Sequence, residues 1–124
     1  MRTVKIGHSP DADDAFMFYA LTAGKVKIPG IAIEHILEDI ESLNRRARTA
    51  DLDVTAVSFA TYLLIADRYR MMDRRRVDGA GLRAHPRRAG ADPLADLENR
   101  VVASPGKHTT SALLLQLCTW ATRR

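Results

Sequence analysis

Hydroxyl side chains stand at three places where the sequence predicts that a strand or loop gives way to a helix. Ser9 follows the first predicted strand, Ser58 follows the third, and Thr109 with Thr110 begins the last predicted helix. In an open parallel sheet such turns meet at the carboxyl edge, where ligands bind. Free N–H groups at helix N-termini favour a carboxylate or phosphate, so the pattern indicates an anionic ligand. The simpler interpretation is that each hydroxyl only caps its helix.

Other clusters of reactive side chains do not match established sites. Residues 104–109 resemble a phosphate-binding loop, but Val101 occupies the first glycine position and His108 stands where Ser or Thr should follow the lysine. The acidic stretch 11–14 beside His8 lacks the glycine and the terminal glutamate of a calcium-binding loop. Helix capping explains these aspartates, so the sequence predicts no metal site.

The chain up to residue 72 predicts three strand–helix units in succession. Strands are expected at residues 4–6, 31–36 and 52–57. A helix follows each strand, and we expect Asp11, Asp39 and Ser58 to cap these helices, with Gly24 at the end of the first. This alternation is typical of an α/β fold with a mostly parallel sheet flanked by helices.

Helical spacing also predicts which side chains face the core. In the first three helices these are Phe16, Met17, Ala20, Leu21, Ile40, Leu43, Ala47, Phe59, Tyr62, Leu63 and Ala66. The last helix repeats the spacing through Leu113, Leu114 and Leu117. Residues 101–103 are expected to form a further strand before it, Cys118 to lie in the core, and His35 to be packed or exposed without a role.

Residues 73–91 break this pattern, because they show neither helical nor strand spacing and hold few large apolar side chains. Such a stretch cannot bury enough apolar surface to offset the entropy lost on ordering, so we predict disorder there. Codons that encode residues 80–90 can be chosen so that, read one base later, they encode a glycine turn and an apolar strand. We therefore hypothesise two compensating frameshifts, near Met72 and near Ala91.

Composition limits the class of protein. At 124 residues the chain is one domain at most, and its single cysteine excludes an internal disulfide and suits a reducing compartment. We predict a cytoplasmic protein, because the first residues lead into a strand rather than an apolar leader.

The net charge is +4, and residues 70–90 contribute seven arginines against two aspartates. That segment has no aromatic residue for base stacking, so nucleic acid is not the expected partner.

Several motifs occur in an order that is typical of one enzyme family. They lie at residues 7–21, 37–45, 57–59 with Tyr62, 67–69 and 102–110. In this arrangement the chain resembles the 1,4-dihydroxy-6-naphthoate synthases, which belong to the futalosine route to menaquinone. The resemblance covers residues 1–72 and 92–117.

The resemblance implies a fold similar to that of type 2 periplasmic binding proteins, in which two α/β lobes enclose a cleft. Residues 1–72 would form the first lobe and residues 92–124 the truncated start of the second lobe. The basic segment 73–91 between them would be disordered or out of frame. The expected fold class is therefore α/β, as a partial fold of this type.

The same resemblance implies a lyase reaction, in which cyclic dehypoxanthine futalosine is cleaved to 1,4-dihydroxy-6-naphthoate with neither metal nor organic cofactor. Substrate contacts would fall on Ala56, Val57, Ser58, Thr109 and Thr110. The hydroxyl pattern adds Ser9, and the substrate would be a small molecule that bears a carboxylate. A histidine base in the second lobe would lie beyond residue 124, and the sequence shows no group that orients His108 in its place. We therefore predict that this chain alone is inactive.

Three alternatives remain on the sequence alone. The first is a solute-binding protein of the same fold, against which the missing leader counts. The second is a relative of chorismate dehydratase, although the turn Ser9-Pro10-Asp11 favours the synthase. The third is a basic regulatory or nucleic-acid-binding module. The sequence makes no prediction of the oligomeric state.

Overall fold

The computed structural model describes residues 1–72 and 101–121 of the chain. This part contains three strands, β1 (Arg2–His8), β2 (Ile31–Leu37) and β3 (Val54–Thr55). It also contains four helices, α1 (Ala12–Thr22), α2 (Ile40–Arg48), α3 (Phe59–Ile65) and α4 (Thr110–Ala121). The predicted segment 73–91, with its two frameshifts, and the start of the following unit at residue 92 lie outside the described residues.

The three strands form a parallel sheet in the order β2-β1-β3. β1 pairs with β2 along its whole length and with β3 at Ile6–Val54 and Gly7–Thr55. The predicted α/β class and parallel sheet are confirmed. Because β1 and β3 are neighbours and run in the same direction, the turns that follow them lie at the same edge of the sheet.

β3 is shorter than the strand that the sequence predicts at residues 52–57. The Asp53 N–H donates to the Lys5 carbonyl at 3.1 Å, but the Lys5 N–H donates to Asp53 Oδ2 at 2.9 Å, so a carboxylate replaces the backbone acceptor there. The Ala56 N–H still donates to the Gly7 carbonyl at 2.9 Å, so the two chains stay together past the strand. Residues 101–103 are not a strand either, because no described strand pairs with them and all three are exposed.

Two helix ends follow the sequence signals. The Asp39 carboxylate accepts the Ser42 N–H at 3.0 Å, so the predicted cap of α2 is confirmed. Gly24 follows α1 with φ of +65°, and its N–H donates to the Leu21 carbonyl at 3.1 Å. A side chain with a Cβ rarely adopts this backbone conformation, which is why glycine marks the end of the helix.

The core forms where α2 lies against β1. The buried apolar side chains are Ile6, Leu43, Ala47, Leu52, Ile65 and Ala112. A Cβ on Gly7 would lie 2.6 Å from Leu52 Cδ1 and 2.7 Å from Leu43 Cδ2. Glycine at this position therefore allows the two leucine side chains to reach the backbone of β1.

The predicted core faces of α1 and α3 are wrong in part. None of the residues of α1 is buried, and Phe16 is 86% exposed. In α3 the buried residues are Thr61 and Ile65, whereas Leu63 is 73% exposed. Both helices carry apolar side chains on nearly all sides, so helical spacing did not show which side packs. Contacts with distant parts of the chain decide it.

α4 packs against α3 through a different face from the one predicted. Ala112 is 8% exposed, whereas Leu114 is 41% and Leu117 is 53% exposed. Cys118 is exposed as well, which corrects the prediction that it lies in the core. The two helices begin side by side, because the Ala60 N–H in the first turn of α3 donates to Thr110 Oγ1 in the first turn of α4.

Candidate functional site

The turn between β1 and α1 is held by its own carboxylates. Ser9 is buried, and its N–H donates to Asp14 Oδ2 at 2.7 Å. The Ser9 hydroxyl donates to Asp11 Oδ2 at 3.0 Å. Asp11 occupies the predicted cap position, but its side chain makes no capping hydrogen bond to α1. Because both Ser9 donors already meet carboxylates, an anion could contact Ser9 only by displacing one of them.

Next to Ser9, the buried His8 pairs with the partly buried His35. His8 is 2% exposed and its Nδ1 lies 3.1 Å from the Ser9 carbonyl, which can only accept, so Nδ1 carries the proton. His8 Nε2 therefore accepts from His35 Nδ1 at 3.2 Å, and the His8 ring stacks on Phe18 at 4.4 Å. Burial, together with the nearby His8, lowers the pKa of His35. His35 is thus packed rather than exposed, which is one of the two outcomes that the sequence allowed. Its hydrogen bond holds the His8 ring in place.

The turn between β3 and α3 is joined to the turn before α4 at a single carbonyl. The His108 carbonyl accepts the Ser58 hydroxyl at 2.8 Å and the Thr61 hydroxyl at 2.8 Å. Asn44 Nδ2 approaches the same oxygen at 3.3 Å, and Asn44 Oδ1 accepts the Ser58 N–H at 3.0 Å. Ser58 is therefore not a side-chain cap of α3, because its hydroxyl holds the distant turn instead.

Thr109 and Thr110 behave differently although they are neighbours. The Thr109 hydroxyl donates to the Gly106 carbonyl at 2.8 Å and accepts the Ala112 N–H at 3.3 Å, so Thr109 caps α4. Thr110 Oγ1 accepts the Ala60 N–H at 3.1 Å, which ties the first turns of α3 and α4 together. The Thr110 hydroxyl proton has no acceptor among residues 1–72 and 101–121. Of the four hydroxyls named from the sequence, this one alone keeps a free donor in the described part of the chain.

A cavity of ≈ 350 Å³ is lined by residues of α1, β3 and α3. Ala56 and Val57, both named from the sequence, line it. The described lining does not include Ser9, Ser58, Thr109 or Thr110. The predicted contacts therefore separate into three groups. Ala56 and Val57 lie at a mostly apolar cavity, Ser58, Thr109 and Thr110 lie where α3 and α4 begin, and Ser9 lies in the turn between β1 and α1.

His108 has an orienting partner, which corrects the sequence analysis. Its Nδ1 lies 2.5 Å from Glu41 Oε1, and its backbone N–H donates to Glu41 Oε2 at 3.0 Å. Arg48 Nη1 lies 2.9 Å from Nε2, and because arginine only donates, Nε2 accepts and the proton sits on Nδ1. Burial works to raise the pKa of Glu41, but the hydrogen bonds from the His108 side chain and backbone outweigh it and lower the pKa.

The sequence matches a family model described as menaquinone biosynthesis, over residues 4–122. The chain belongs to this menaquinone biosynthesis family. The match spans nearly the whole chain and confirms the resemblance drawn from the motifs.

Two relatives of this family member carry a specific name. The 1,4-dihydroxy-6-naphthoate synthase of Thermus thermophilus is 42% identical over 118 residues, which is 94% of this chain and 42% of the relative. The synthase of the same name from Streptomyces coelicolor is 35% identical over 120 residues, which is 96% of this chain and 40% of the relative. The chain therefore spans about two fifths of the length of these relatives.

A solved structure supports the fold of this chain. The crystal structure of a protein from Archaeoglobus fulgidus superposes with a TM-score of 0.54 and is 53% identical in sequence. The superposition covers 56% of this chain and 26% of the other. The α/β arrangement of the described residues is therefore shared with an experimentally determined structure.

Sequence reasoning missed Glu41, Asn44 and Thr61, which hold the turn before α4. A signal for Asn44 was present, because it lies four residues after Ile40 and three before Ala47, within the apolar stripe of α2. A polar side chain in such a stripe is buried only when its hydrogen bonds are satisfied, so it predicts a partner. Glu41 and Thr61 carried no comparable signal, because their partner follows more than 45 residues later in the chain.

Within residues 1–72 and 101–121, no group of three or more His, Cys, Asp or Glu side chains is arranged to hold a metal ion. In the same ranges no helix has the length and apolar character needed to cross a membrane.

Proposed function

We propose that this chain contributes the first part of a 1,4-dihydroxy-6-naphthoate synthase, a lyase that cleaves cyclic dehypoxanthine futalosine. Family membership and the shared name of two relatives support the proposal. We extend it to a two-lobed fold similar to that of type 2 periplasmic binding proteins, with the first lobe at residues 1–72. The family match favours this function over the solute-binding alternative.

The observation that carries the proposed site is the unused hydroxyl donor of Thr110 at the start of α4. A helix of 12 residues presents free N–H groups and the positive end of its dipole at this point, which suits a carboxylate. The Ala60 N–H holds Thr110 Oγ1, so the hydroxyl is fixed before a ligand arrives. We infer that Thr110 and the first turn of α4 bind the carboxylate of the substrate.

The remaining predicted contacts receive separate roles in this proposal. Ala56 and Val57 line the cavity and would contact the apolar ring system of the substrate. Ser58 and Thr109 would hold the turn that presents Thr110, because their hydroxyls already donate to backbone carbonyls. Ser9 would border the site from the neighbouring turn. Cytoplasmic location stays a prediction from the sequence.

Replacing Thr110 with valine should weaken binding of the product 1,4-dihydroxy-6-naphthoate about tenfold or more, because a hydrogen bond to a charged group is worth roughly 1.5–3 kcal/mol. Thr110→Ser keeps the hydroxyl and should bind close to wild type. Thr22→Val is the matched control, because it makes the same change at an exposed hydroxyl that donates only to carbonyls of its own helix, and it should leave the affinity unchanged. Titration calorimetry with the product measures all three variants.

Two results would contradict this assignment. If the folded wild-type chain does not bind the product, the proposed site is wrong as a whole. If Thr110→Val binds the product as tightly as Thr110→Ser, the hydroxyl has no part in recognition and Thr110 only joins α3 to α4.

The chain by itself should not turn over cyclic dehypoxanthine futalosine. A general base must reach the proton that it removes, and the family resemblance puts the histidine base beyond residue 124. His108 is not a free base, because Nδ1 donates to Glu41 and Nε2 accepts from Arg48. An assay for naphthoate formation checks this expectation. Formation that disappears in His108→Ala would show instead that His108 is the base.

A further inference from the structure

We propose that Glu41 is a positioning residue that sets the orientation of Thr110. The inference rests on the proposed function, because Thr110 is the residue we assign to the carboxylate. Glu41 lies in the first turn of α2; among the described residues it is not part of the cavity lining, and its side-chain hydrogen bonds go to His108 rather than to Thr110. It acts on Thr110 through the backbone of His108.

The Glu41 carboxylate holds His108 at two points. Oε2 accepts the His108 N–H at 3.0 Å, and Oε1 accepts the ring Nδ1–H at 2.5 Å. The Glu41 side chain is 16% exposed, so water competes weakly for these bonds. A Cβ on Gly106 would lie 2.7 Å from Glu41 Cβ and 2.7 Å from Cδ, so the turn packs directly on the glutamate.

These two contacts with Glu41 determine the direction of the His108 carbonyl. With its N–H and ring held by Glu41, His108 presents its carbonyl to the hydroxyls of Ser58 and Thr61, which both donate to it at 2.8 Å, and to Asn44 Nδ2 at 3.3 Å. Thr109 and Thr110 follow at once in the chain. The position of Thr110 Oγ1 against the Ala60 N–H is thereby determined by contacts that begin at Glu41.

The charges around Glu41 support a role for the ionised carboxylate. Arg45 lies close enough to favour the negative charge, and Arg48 donates to His108 Nε2, which keeps the proton on Nδ1. Glutamine has the same shape but only one side-chain oxygen. Its NH2 group would replace one of the two accepting oxygens, so a donor would face either the N–H or the Nδ1–H of His108.

Amide hydrogen exchange in the intact chain tests the inference without any ligand. The Ala60 N–H is a sharp reporter, because it lies in the first turn of α3 and its acceptor is Thr110 Oγ1 rather than a helix carbonyl. In Glu41→Gln we expect exchange at Ala60 and His108 to accelerate at least about tenfold. Exchange at Ala56, which donates to the Gly7 carbonyl in the sheet, should stay unchanged.

Glu38→Gln is the matched control. It makes the same chemical change three residues earlier, and it removes the negative charge that pairs with Arg46 at 2.7 Å without altering a contact to the turn before α4. Ala60 should exchange at the wild-type rate in this variant. Unchanged exchange at Ala60 in Glu41→Gln would overturn the inference. Equal acceleration at Ala60 and Ala56 would overturn it too, because Glu41 would then affect only global stability.

Product binding separates this inference from the proposed function. If Glu41 positions the carboxylate contact, Glu41→Gln should lower the affinity for 1,4-dihydroxy-6-naphthoate, and Glu38→Gln should not. If amide exchange at Ala60 accelerates in Glu41→Gln but the affinity for the product is unchanged, Glu41 has no part in substrate binding and the inference fails. If the wild-type chain does not bind the product, the proposed function fails, and the exchange experiment still decides whether Glu41 orients Thr110.

Discussion

Replacing Asn44 with aspartate is expected to lower the free energy of unfolding by about 3–5 kcal/mol at neutral pH, because it leaves an uncompensated charge in the interior. Asn44 is 0% exposed, and its Nδ2 is the group that donates to the His108 carbonyl at 3.3 Å. An ionised aspartate would place a negative oxygen against that carbonyl. The other oxygen could still accept from Ser58, so the loss falls on the contact between α2 and the turn before α4.

The loss should depend on pH with a definite sign. Burial without a positive partner raises the pKa of the new carboxyl in the folded chain above its unfolded value of about 3.9. Below that unfolded value both states are protonated, and the neutral carboxyl can donate to His108 as the amide does. As the pH rises between the two pKa values the folded state holds more protons, so the stability of the variant relative to wild type falls.

Urea unfolding of both proteins between pH 3 and pH 7 measures this difference. Gln116→Glu is the matched control, because it makes the same change of amide to carboxylate on the exposed side of α4. It should change stability by less than about 0.5 kcal/mol. A constant difference between Asn44→Asp and wild type across this range would show that the carboxyl is solvated, and that Asn44 is not buried against the turn.

Replacing Leu43 with alanine is expected to cost about 2–5 kcal/mol, the usual range for a fully buried leucine. Leu43 is 0% exposed and reaches the backbone of β1 at Gly7, where its neighbour Leu52 also packs. The cavity left behind cannot be filled by Gly7, which has no side chain. A fall in melting temperature of about 10 °C or more should follow in a domain of this size.

Leu64→Ala removes the same atoms from α3, where the side chain is 65% exposed, and it should change the melting temperature little. Thermal unfolding followed by circular dichroism compares the two variants. Similar losses in both would mean that α2 does not lie on β1 as described, or that the exposed side of α3 is covered in solution.

The local signals in the sequence were reliable where neighbours along the chain decide the structure. The Asp39 cap, the Gly24 helix end and the three parallel strands all follow from short-range spacing and backbone preferences. The family assignment rested on motif order in the same way. Short-range signals were less reliable at the ends of β3 and at residues 101–103, because a segment forms a strand only where a neighbouring strand pairs with its backbone.

The candidate site shows the opposite case. The hydroxyls of Ser9, Ser58 and Thr109 looked equivalent to that of Thr110 in the sequence, since each stands at a turn before a helix. The acceptors of Ser9 and Thr109 lie within five residues of them, whereas Ser58 donates to the His108 carbonyl, 50 residues away. Which face of α3 is buried depends on the same carbonyl, because it draws Thr61 inward.

The sequence by itself determined the α/β class, the order of the strand–helix units and the family, because hydrophobic spacing, capping residues and motif order are properties of the chain. Only the tertiary structure decided that Thr110 keeps a free donor and that His108 is bound by Glu41 and Arg48. Those outcomes depend on hydrogen bonds between residues 50 to 67 positions apart. Such pairs meet because α2, α3 and α4 pack together, and no local pattern records which polar groups that packing brings within bonding distance.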